Sequence, residues 1–331
     1  MATLADIAAI AGTSISTVSR ALKNDPRISF ETTEKIRNIA LDIGYLKASF
    51  KNSNLPASTK TIILIIPEVL SGYYARIAHL TQQNFYSHDY SLAVRITNFD
   101  TSVLIRHLQE ISTEQISGLL LVFDDAEKLS DEILQLIASL SCPVMFITSS
   151  YIPKLDFDNI YLDEQRGISM AVEHLISRGY QHIGFLGEQK TLGRLEHFRN
   201  IMEIHHMPVN ENHIILSSLR AENGGYDCIR ELADRGCPMP DALFASYDQM
   251  AVGAIKALTE LGLDIPRDIA ILGFDDLPIS QFIHKGITTI QNPCDDMISI
   301  SCRILLNRIK GDHSAPQQIA LKPQLIIRGT T

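Results

Sequence analysis

Helical periodicity dominates the first part of the chain. The apolar positions of the first pattern recur at the spacing of one helix face: Leu4, Ile7, Ala8 and Ala11. They predict a helix over residues 4–11, for which Thr3 is a suitable N-cap and Gly12 a suitable end. Ser14 can cap a second helix over residues 15–22. Two short helices around a Gly-containing turn predict a helix-turn-helix.

A third helix is predicted over residues 30–43, with Ser29 as its N-cap and Gly44 as its end. Its apolar positions again share one face: Ile36, Ile39, Ala40 and Ile43. The three helices can therefore close a small all-α bundle.

From residue 61 onward, short apolar runs rich in β-formers alternate with helical stretches. Nine runs are strand candidates: TIILII, SLAVRI, GLLLVF, PVMFI, HIGFLG, HIILS, ALFAS, IAILGF and ITTI. Strands that alternate with helices form βαβ units and parallel sheets. Nine or ten strands predict an α/β fold with two lobes, each a doubly wound parallel sheet. The NGG sequence at 223–225 is interpreted as a turn.

These patterns divide the chain into a helix-turn-helix head (residues 1–47), a linker (48–60) and a body (61–331). The first lobe is expected to hold residues 61–160 and 292–320, and the second residues 161–291 and 321–331. Ligands of open α/β sheets bind beyond the carboxyl ends of the strands, so the two lobes are expected to form a ligand cleft.

Charge is distributed unevenly between the head and the body. The whole chain of 331 residues carries a formal charge of −9. Residues 1–60 hold eight Lys and Arg against five acids, which is +3 and leaves −12 for the remainder. A basic head on an acidic body is typical of a polyanion-binding module joined to another function.

Targeting signals and disulfide patterns are not apparent in the sequence. The longest apolar runs are far shorter than the roughly 20 residues that span a bilayer. The first residues lack a basic start and a cleavage site, so no signal peptide is predicted. Five scattered cysteines without CxxC spacing fit reduced thiols. We expect a cytoplasmic protein with no membrane partner.

The second helix carries the chemistry for reading DNA. Ile15, Ser16, Ser19 and Arg20 fall on one side of it, while Val18 lies on the other. Arginine can bond twice to guanine in the major groove, and an aliphatic side chain can lie against a thymine methyl group. Hydroxyl groups at the helix start suit phosphate oxygens. The alternative is an ordinary three-helix bundle whose exposed face is rich in serine.

The head resembles that of the lactose/galactose repressor family (LacI/GalR). The resemblance rests on TLADIAAIAGTSISTVSRALKNDPRIS, followed by ETTEKIRNIALDIGY. It implies that Ile15, Ser16 and Arg20 read bases. It also implies phosphate contacts from Ser14, Thr17, Ser19 and Tyr45. The predicted DNA-contacting set further includes Thr3, Lys23, Arg27 and Lys51.

The linker departs from the family pattern. Family members form a hinge helix here and insert a leucine into the minor groove. In LKASFKNSNLPASTK, Lys47 stands in place of the proline and Lys51 in place of the alanine, while Leu55 lies one position late. We therefore interpret the segment as a flexible linker. The alternative, that it folds into a hinge helix on contact with DNA, stays open.

The body is similar to the family's effector domain, which is itself similar to periplasmic sugar-binding proteins. The matching segments are residues 163–187, residues 248–254 (DQMAVGA) and residues 268–276 (DIAILGFDD). The resemblance implies an effector site that includes Tyr73, Tyr74, Asp163, Arg194, Tyr247 and Asp275. The departures in the linker and the ending IIRGTT also resemble repressors of secondary β-galactosidase operons.

A small neutral sugar is the expected ligand, because a carboxylate and a guanidinium can each bind neighbouring hydroxyl groups through two hydrogen bonds. A galactoside is favoured over a purine. Simpler interpretations remain open: Arg194 as a surface ion-pair partner, Asp275 as the cap of a turn, and Tyr73 and Tyr74 as rim residues.

Catalytic and cofactor motifs are not found. There is no phosphate loop, no GxSxG and no dinucleotide fingerprint after the first strand, and the adjacent His205 and His206 would point apart on a helix. We expect no metal, no cofactor and no enzymatic activity. The leading hypothesis is a sugar-responsive repressor that binds a pseudo-palindromic operator as a homodimer. A sugar-binding transport protein and a sugar-modifying α/β enzyme are the alternatives.

Overall fold

The computed structural model describes residues 3–22, 27–29, 32–33, 35–36, 39–40, 60–124, 128–236 and 238–331. The chain divides into two units, one before residue 60 and one from Lys60 to Thr331.

The head begins with the two predicted helices, α1 (Leu4–Ala11) and α2 (Ile15–Leu22). Thr3 caps α1 in a reciprocal pair with Asp6, and Gly12 ends it in the left-handed conformation at φ 69°. The Ser14 hydroxyl accepts a hydrogen bond from the Thr17 backbone N–H at 3.1 Å, which caps α2. These expectations are confirmed because helix caps depend on local chemistry.

The described part of the third helical segment packs on the first two helices. Residues 32–33, 35–36 and 39–40 are helical, and the Ser29 hydroxyl accepts from the Thr32 N–H at 3.3 Å. The small core of the head consists of buried aliphatic side chains: Ile7, Ala8, Val18, Ala21, Ile36 and Ala40. The other residues of the predicted third helix, and the linker, lie outside the described residues.

The first sheet of the body contains six parallel strands in the order β2-β1-β3-β4-β5-β11. Their bounds are β1 Thr61–Ile66, β2 Ser91–Ile96, β3 Gly118–Phe123, β4 Val144–Thr148, β5 Asp158–Leu162 and β11 Gln318–Leu321. Four helices accompany this sheet: α3 Gly72–Tyr86, α4 Thr101–Ile111, α5 Asp131–Ala138 and α10 Cys294–Ile309. Strands β3 and β4 are buried along their whole length, which explains their unbroken apolar sequence.

The second sheet has the order β7-β6-β8-β9-β10-β12. Its strands are β6 Ile183–Glu188, β7 Ile214–Ser217, β8 Ala242–Ala245, β9 Ala270–Asp275, β10 Thr288–Gln291 and β12 Gln324–Ile326. Four helices accompany it: α6 Glu164–Ser177, α7 Leu192–Ile204, α8 Ala221–Asp234 and α9 Asp248–Glu260. The chain passes between the sheets after β5, after β10 and between β11 and β12.

The predicted α/β class with two doubly wound sheets is confirmed, and each of the nine candidate runs overlaps a strand. The strand count was too low, because the nine runs miss β5 (DNIYL), which begins with two polar residues, and β11 (QIAL) and β12 (QLI), which are short and partly exposed. The second sheet is also not wholly parallel, since β12 pairs antiparallel with β10.

The NGG sequence at 223–225 is not a turn, and that interpretation was wrong. It lies inside α8, which packs closely on α9. A Cβ at Gly225 would lie 1.8 Å from the Met250 carbonyl oxygen, and a Cβ at Gly253 would lie 1.8 Å from that of Glu222. The glycines allow two helix backbones to touch, a requirement that only the neighbouring helix imposes.

No helix among the described residues is long and apolar enough to cross a membrane. Of the five cysteines, the four that the structure describes, Cys142, Cys228, Cys294 and Cys302, are free thiols.

Candidate functional site: a cleft between two lobes and an exposed helix in the head

A cleft of about 1020 Å³ lies between the two lobes of the body. Its walls are formed by residues at the carboxyl ends of the parallel strands, such as Asp124 after β3, Tyr247 after β8 and Asp275 at the end of β9. This is where open α/β sheets bind small molecules, and the volume is that of a typical ligand site.

Arg194, on the first turn of α7, is the central cation of the inner cleft. Its Nε donates to Glu164 Oε1 at 2.7 Å, its Nη1 donates to the Ser246 carbonyl, and its Nη2 lies 4.0 Å from Asp275 Oδ1. The guanidinium also lies over the Phe274 ring, 4.1 Å from its centroid. Burial opposes its charge, but Glu164 and Asp275 outweigh burial and raise the pKa of Arg194. The side chain is thus a fixed, ionised group in the cleft wall.

Asp275 lies beside Arg194 in an unusual backbone conformation, with φ at 100°. Burial raises the pKa of its carboxyl group, Arg194 opposes this effect, and Glu164 adds to it. The structure therefore brings together two predicted effector residues that are far apart in the sequence.

Tyr73 and Tyr74, at the start of α3, both line the cleft and pack edge to face with centroids 5.2 Å apart. The Tyr74 hydroxyl donates to the carboxylate of Asp124. Burial raises the pKa of Asp124 to about 6, partly offset by the Tyr74 hydrogen bond, with a further increase from Glu164.

Asp163 does not line the described cleft. Its Oδ1 accepts a hydrogen bond from the Arg166 backbone N–H at 3.1 Å and caps α6, while the next residue, Glu164, lines the cleft instead. A helix-capping role follows from the position of Asp163 directly before α6.

Tyr247 lines the cleft and contacts groups that sequence reasoning missed. Its hydroxyl donates to Glu188 Oε1 and accepts from the Ala221 N–H, each at 2.9 Å. Glu188 is buried and also accepts from Arg220 Nε at 3.0 Å. The position of Glu188 at the end of a predicted strand was the available signal, because cleft residues collect at strand ends.

Arg220 joins the two lobes across the cleft. Besides contacting Glu188 of its own lobe, its Nη1 lies 3.0 Å from Glu68 Oε2 of the other lobe. Its guanidinium lies over the ring of Phe99, also of the other lobe, 4.6 Å from the centroid. No sequence pattern predicts this contact, since its three partners lie at the ends of three different strands.

In the head, α2 presents the predicted face to solvent. Ile15 is 52% exposed, Ser16 and Arg20 are exposed, and Val18 and Ala21 are buried against the other helices. The Ser14 hydroxyl lies 2.8 Å from those of Ser16 and Thr17.

The remaining predicted DNA contacts have different environments. Ser19 is half-buried, and Arg27 is exposed. The Thr3 side chain is engaged with Asp6. Lys23, Tyr45 and Lys51 lie outside the described residues.

No group of three or more metal-binding side chains occurs within the described parts of the chain.

Comparisons with known proteins agree for both units. Residues 3–47 match the family model of bacterial regulatory proteins, lacI family, and residues 172–331 match a periplasmic binding protein-like domain. The chain is 31% identical to the transcriptional repressor PurR of Haemophilus influenzae (strain PittEE), over 99% of this chain and 98% of that protein. It is 29% identical to the ribose operon repressor of Escherichia coli (strain K12), over the full length of both.

Solved structures share the fold. A lac repressor dimer bound to operator and the anti-inducer ONPF matches with a TM-score of 0.73 and 22% identity, over 99% of this chain and 98% of that one. A complex of the transcriptional regulator CelR with cellobiose matches with a TM-score of 0.71 and 22% identity, and both chains are covered fully. The family predicted from the sequence is thereby confirmed, whereas the nearness to repressors of β-galactosidase operons stays a prediction. From its head to its effector-type body, the chain belongs to the lacI family of bacterial regulatory proteins.

Proposed function

We propose that this protein represses transcription by binding an operator through α2 and that a small polyhydroxylated molecule, a sugar, binds in the cleft and controls this activity. The observation that carries the proposal is the exposed face of α2 with Ile15, Ser16 and Arg20, on a chain whose body has a ligand-sized cleft. Base-reading side chains on a short exposed helix have no use in a transport protein or a sugar-modifying enzyme.

The cleft chemistry supports a polyhydroxylated ligand. Arg194 and Asp275 offer a donor and an acceptor side by side, which suits neighbouring hydroxyl groups. The rings of Tyr73 and Tyr74 can cover the C–H face of a sugar. The similar proteins include a ribose operon repressor and a regulator in complex with cellobiose, which supports a sugar as the ligand, and galactosides stay among the candidates.

Control of DNA binding would follow from the two-lobed body. A ligand that bridges both walls changes the preferred closure of the lobes, and in a dimer this alters the spacing of the two heads. A two-fold symmetric dimer requires matching half-sites, so we expect a pseudo-palindromic operator. A repressor that binds operator DNA works in the bacterial cytoplasm, so a cytoplasmic location is part of the proposal, and no catalytic role is proposed.

The test is the substitution Arg20→Ala. An operator is first selected from a library of random duplexes with the wild-type chain. We expect the variant to lose about 1–3 kcal/mol of discrimination per half-site and to keep nonspecific binding. Arg199→Ala removes the same charge from an exposed site on the body and should leave discrimination unchanged. Equal discrimination by Arg20→Ala and wild type in a gel-shift titration would contradict the proposal.

A further inference from the structure

The cleft carries more negative than positive charge. Among its described lining residues are eight Asp and Glu side chains against four Lys and Arg side chains. At the outer part of the cleft, Arg220 is already shared between Glu68 and Glu188. An anionic ligand, such as a sugar phosphate or a sugar acid, would therefore meet a repulsive field.

The inner cleft holds three carboxylates around one guanidinium. Arg194 pairs with two of them: its Nε lies 2.7 Å from Glu164 Oε1, and its Nη2 lies 4.0 Å from Asp275 Oδ1. The hydrogen bond to the third carboxylate, that of Asp124, comes from the neutral hydroxyl of Tyr74. An ionised carboxylate removed from water needs compensation by charge or by several donors, and Asp124 has this one hydroxyl together with the charge of Arg194, which Glu164 and Asp275 also share.

A second observation is independent of the carboxylates. Asn292 is 6% exposed and lines the cleft, and its side-chain oxygen Oδ1 is buried without a hydrogen-bond partner. Leaving a buried acceptor unpaired is unfavourable. The Tyr73 hydroxyl contacts Asn292 and is close to both Asp124 and Asp275, so the unpaired acceptor belongs to the same cluster.

These groups define what the ligand must supply. Asp124, Asp275 and the Asn292 oxygen are all acceptors, and the three carboxylates of the inner cleft outnumber its one guanidinium, so the cluster has a net negative charge when they are ionised. A sugar hydroxyl donates one hydrogen bond and leaves the charge uncompensated. A primary ammonium group has three donors, no acceptor and a positive charge, and hydrogen bonds between ions are about twice as strong as neutral ones.

We propose that the effector is a sugar that carries a protonated amine, and that its ammonium group binds between Asp124, Asp275 and Asn292, next to Arg194. This inference rests on the proposed sugar-binding function and narrows it. It departs from the neutral sugar that the sequence predicts from the Arg194–Asp275 pair. The hydroxyl groups of the amino sugar would still use that pair.

The test compares amino sugars with their neutral parents. Calorimetric titrations of the full chain at about pH 7.5 use glucosamine against glucose, galactosamine against galactose, and mannosamine against mannose. We expect at least one amino sugar to bind at least about tenfold more tightly than its neutral parent, because the ammonium group adds one charge-assisted hydrogen bond. This comparison needs no variant, so it does not depend on the folding of a mutant.

Variants then locate the amine. Asp124→Asn should weaken binding of the preferred amino sugar about tenfold and leave binding of its parent sugar nearly unchanged. Asp100→Asn is the matched control, because Asp100 also lines the cleft but caps α4, where its Oδ1 accepts from the Ser102 N–H at 2.8 Å. Asparagine caps helices as well as aspartate does, so this control should bind like wild type.

Two results would overturn the inference and differ in what they say of the proposed function. If neutral sugars bind as tightly as their amino derivatives, or Asp124→Asn weakens both equally, the ammonium site is wrong while the sugar-binding function stands. If none of the six sugars binds, the ammonium site and the sugar-binding function both fail. The operator test with Arg20→Ala is independent of either result.

Discussion

A single, half-buried guanidinium organises the inner cleft. Arg194 contacts Glu164, the Ser246 carbonyl and the ring of Phe274 at once, and its side chain is only 16% exposed. The planar fork of arginine makes this set of contacts possible, and lysine could not reproduce it. The interpretation of Arg194 as a surface ion pair is therefore wrong, although its partner is indeed a carboxylate.

Arg194→Ala should weaken sugar binding by roughly tenfold to a hundredfold, because removal leaves buried polar partners unpaired at about 1–3 kcal/mol. DNA binding without ligand should persist, since α2 is untouched. Titration of the tightest-binding sugar of the panel checks this, with Arg178→Ala, an exposed arginine after α6, as the control. Wild-type affinity in Arg194→Ala would remove this residue from the site.

Affinity for the amino sugar should fall about tenfold between about pH 7 and pH 5. Burial raises the pKa of Asp124 to about 6, so this carboxylate loses its charge as the pH falls through that value. The groups that face it are Tyr74 of α3, Glu164 of α6, Arg194 of α7 and Asp275 of β9, and the pKa of Asp275 is also raised.

The amine of the probe gains protons over the same range, so the loss cannot come from the probe. The measurement is a calorimetric titration at several pH values, and Asp124→Asn should show a flatter profile. A wild-type affinity that is constant or rises toward pH 5 would speak against an ionised Asp124 in the site.

At the scale of elements, close helix packing positions the outer cleft. Helix α8 begins directly after Arg220, and α9 begins directly after Tyr247, so the contact between these helices sets where both cleft residues lie. The contact depends on Gly225 and Gly253, at which any Cβ would collide with the backbone of the other helix.

Gly225→Ala should lower the free energy of unfolding by about 1–3 kcal/mol, as overpacking does in a filled interior. Gly193→Ala in α7 is the control, because a Cβ there meets nothing within 4 Å. In a helix, alanine is favoured over glycine by up to about 1 kcal/mol, so the control should be neutral or slightly stabilising. Urea denaturation followed by circular dichroism measures both, and equal stabilities of the two variants would show that the helices can separate at little cost.

At the scale of the whole molecule, the body has apolar surface that a second copy could cover. Leu70 is 87% exposed, Phe282 is 75% exposed and Ile279 is 44% exposed. A hollow of about 650 Å³ joins Gly72 and Leu80 of α3 to Leu277 and Ile279 in the other lobe. Exposed apolar patches of this kind often mark protein interfaces.

We therefore predict that residues 60–331 dimerise without the head. One head has too small a footprint for tight operator binding, so the dimer must be held by the body. Sedimentation of the truncated chain at micromolar concentration, next to the full chain, should give a dimer for both. A monomeric body alongside a dimeric full chain would assign dimerisation to the first 59 residues instead.

The sequence by itself determined the local secondary structure of this protein. The capping pair Thr3–Asp6, the end of α1 at Gly12, the exposed face of α2 and nine of the strands follow from neighbours within a few residues, where periodicity and capping act. The tertiary structure decided the rest. It put the NGG glycines inside a helix, removed Asp163 from the cleft, and added Asp124, Glu188, Arg220 and Asn292 to it. The physical reason is that burial, charge compensation and unpaired acceptors depend on groups that only the folded chain brings together at the ends of separate strands.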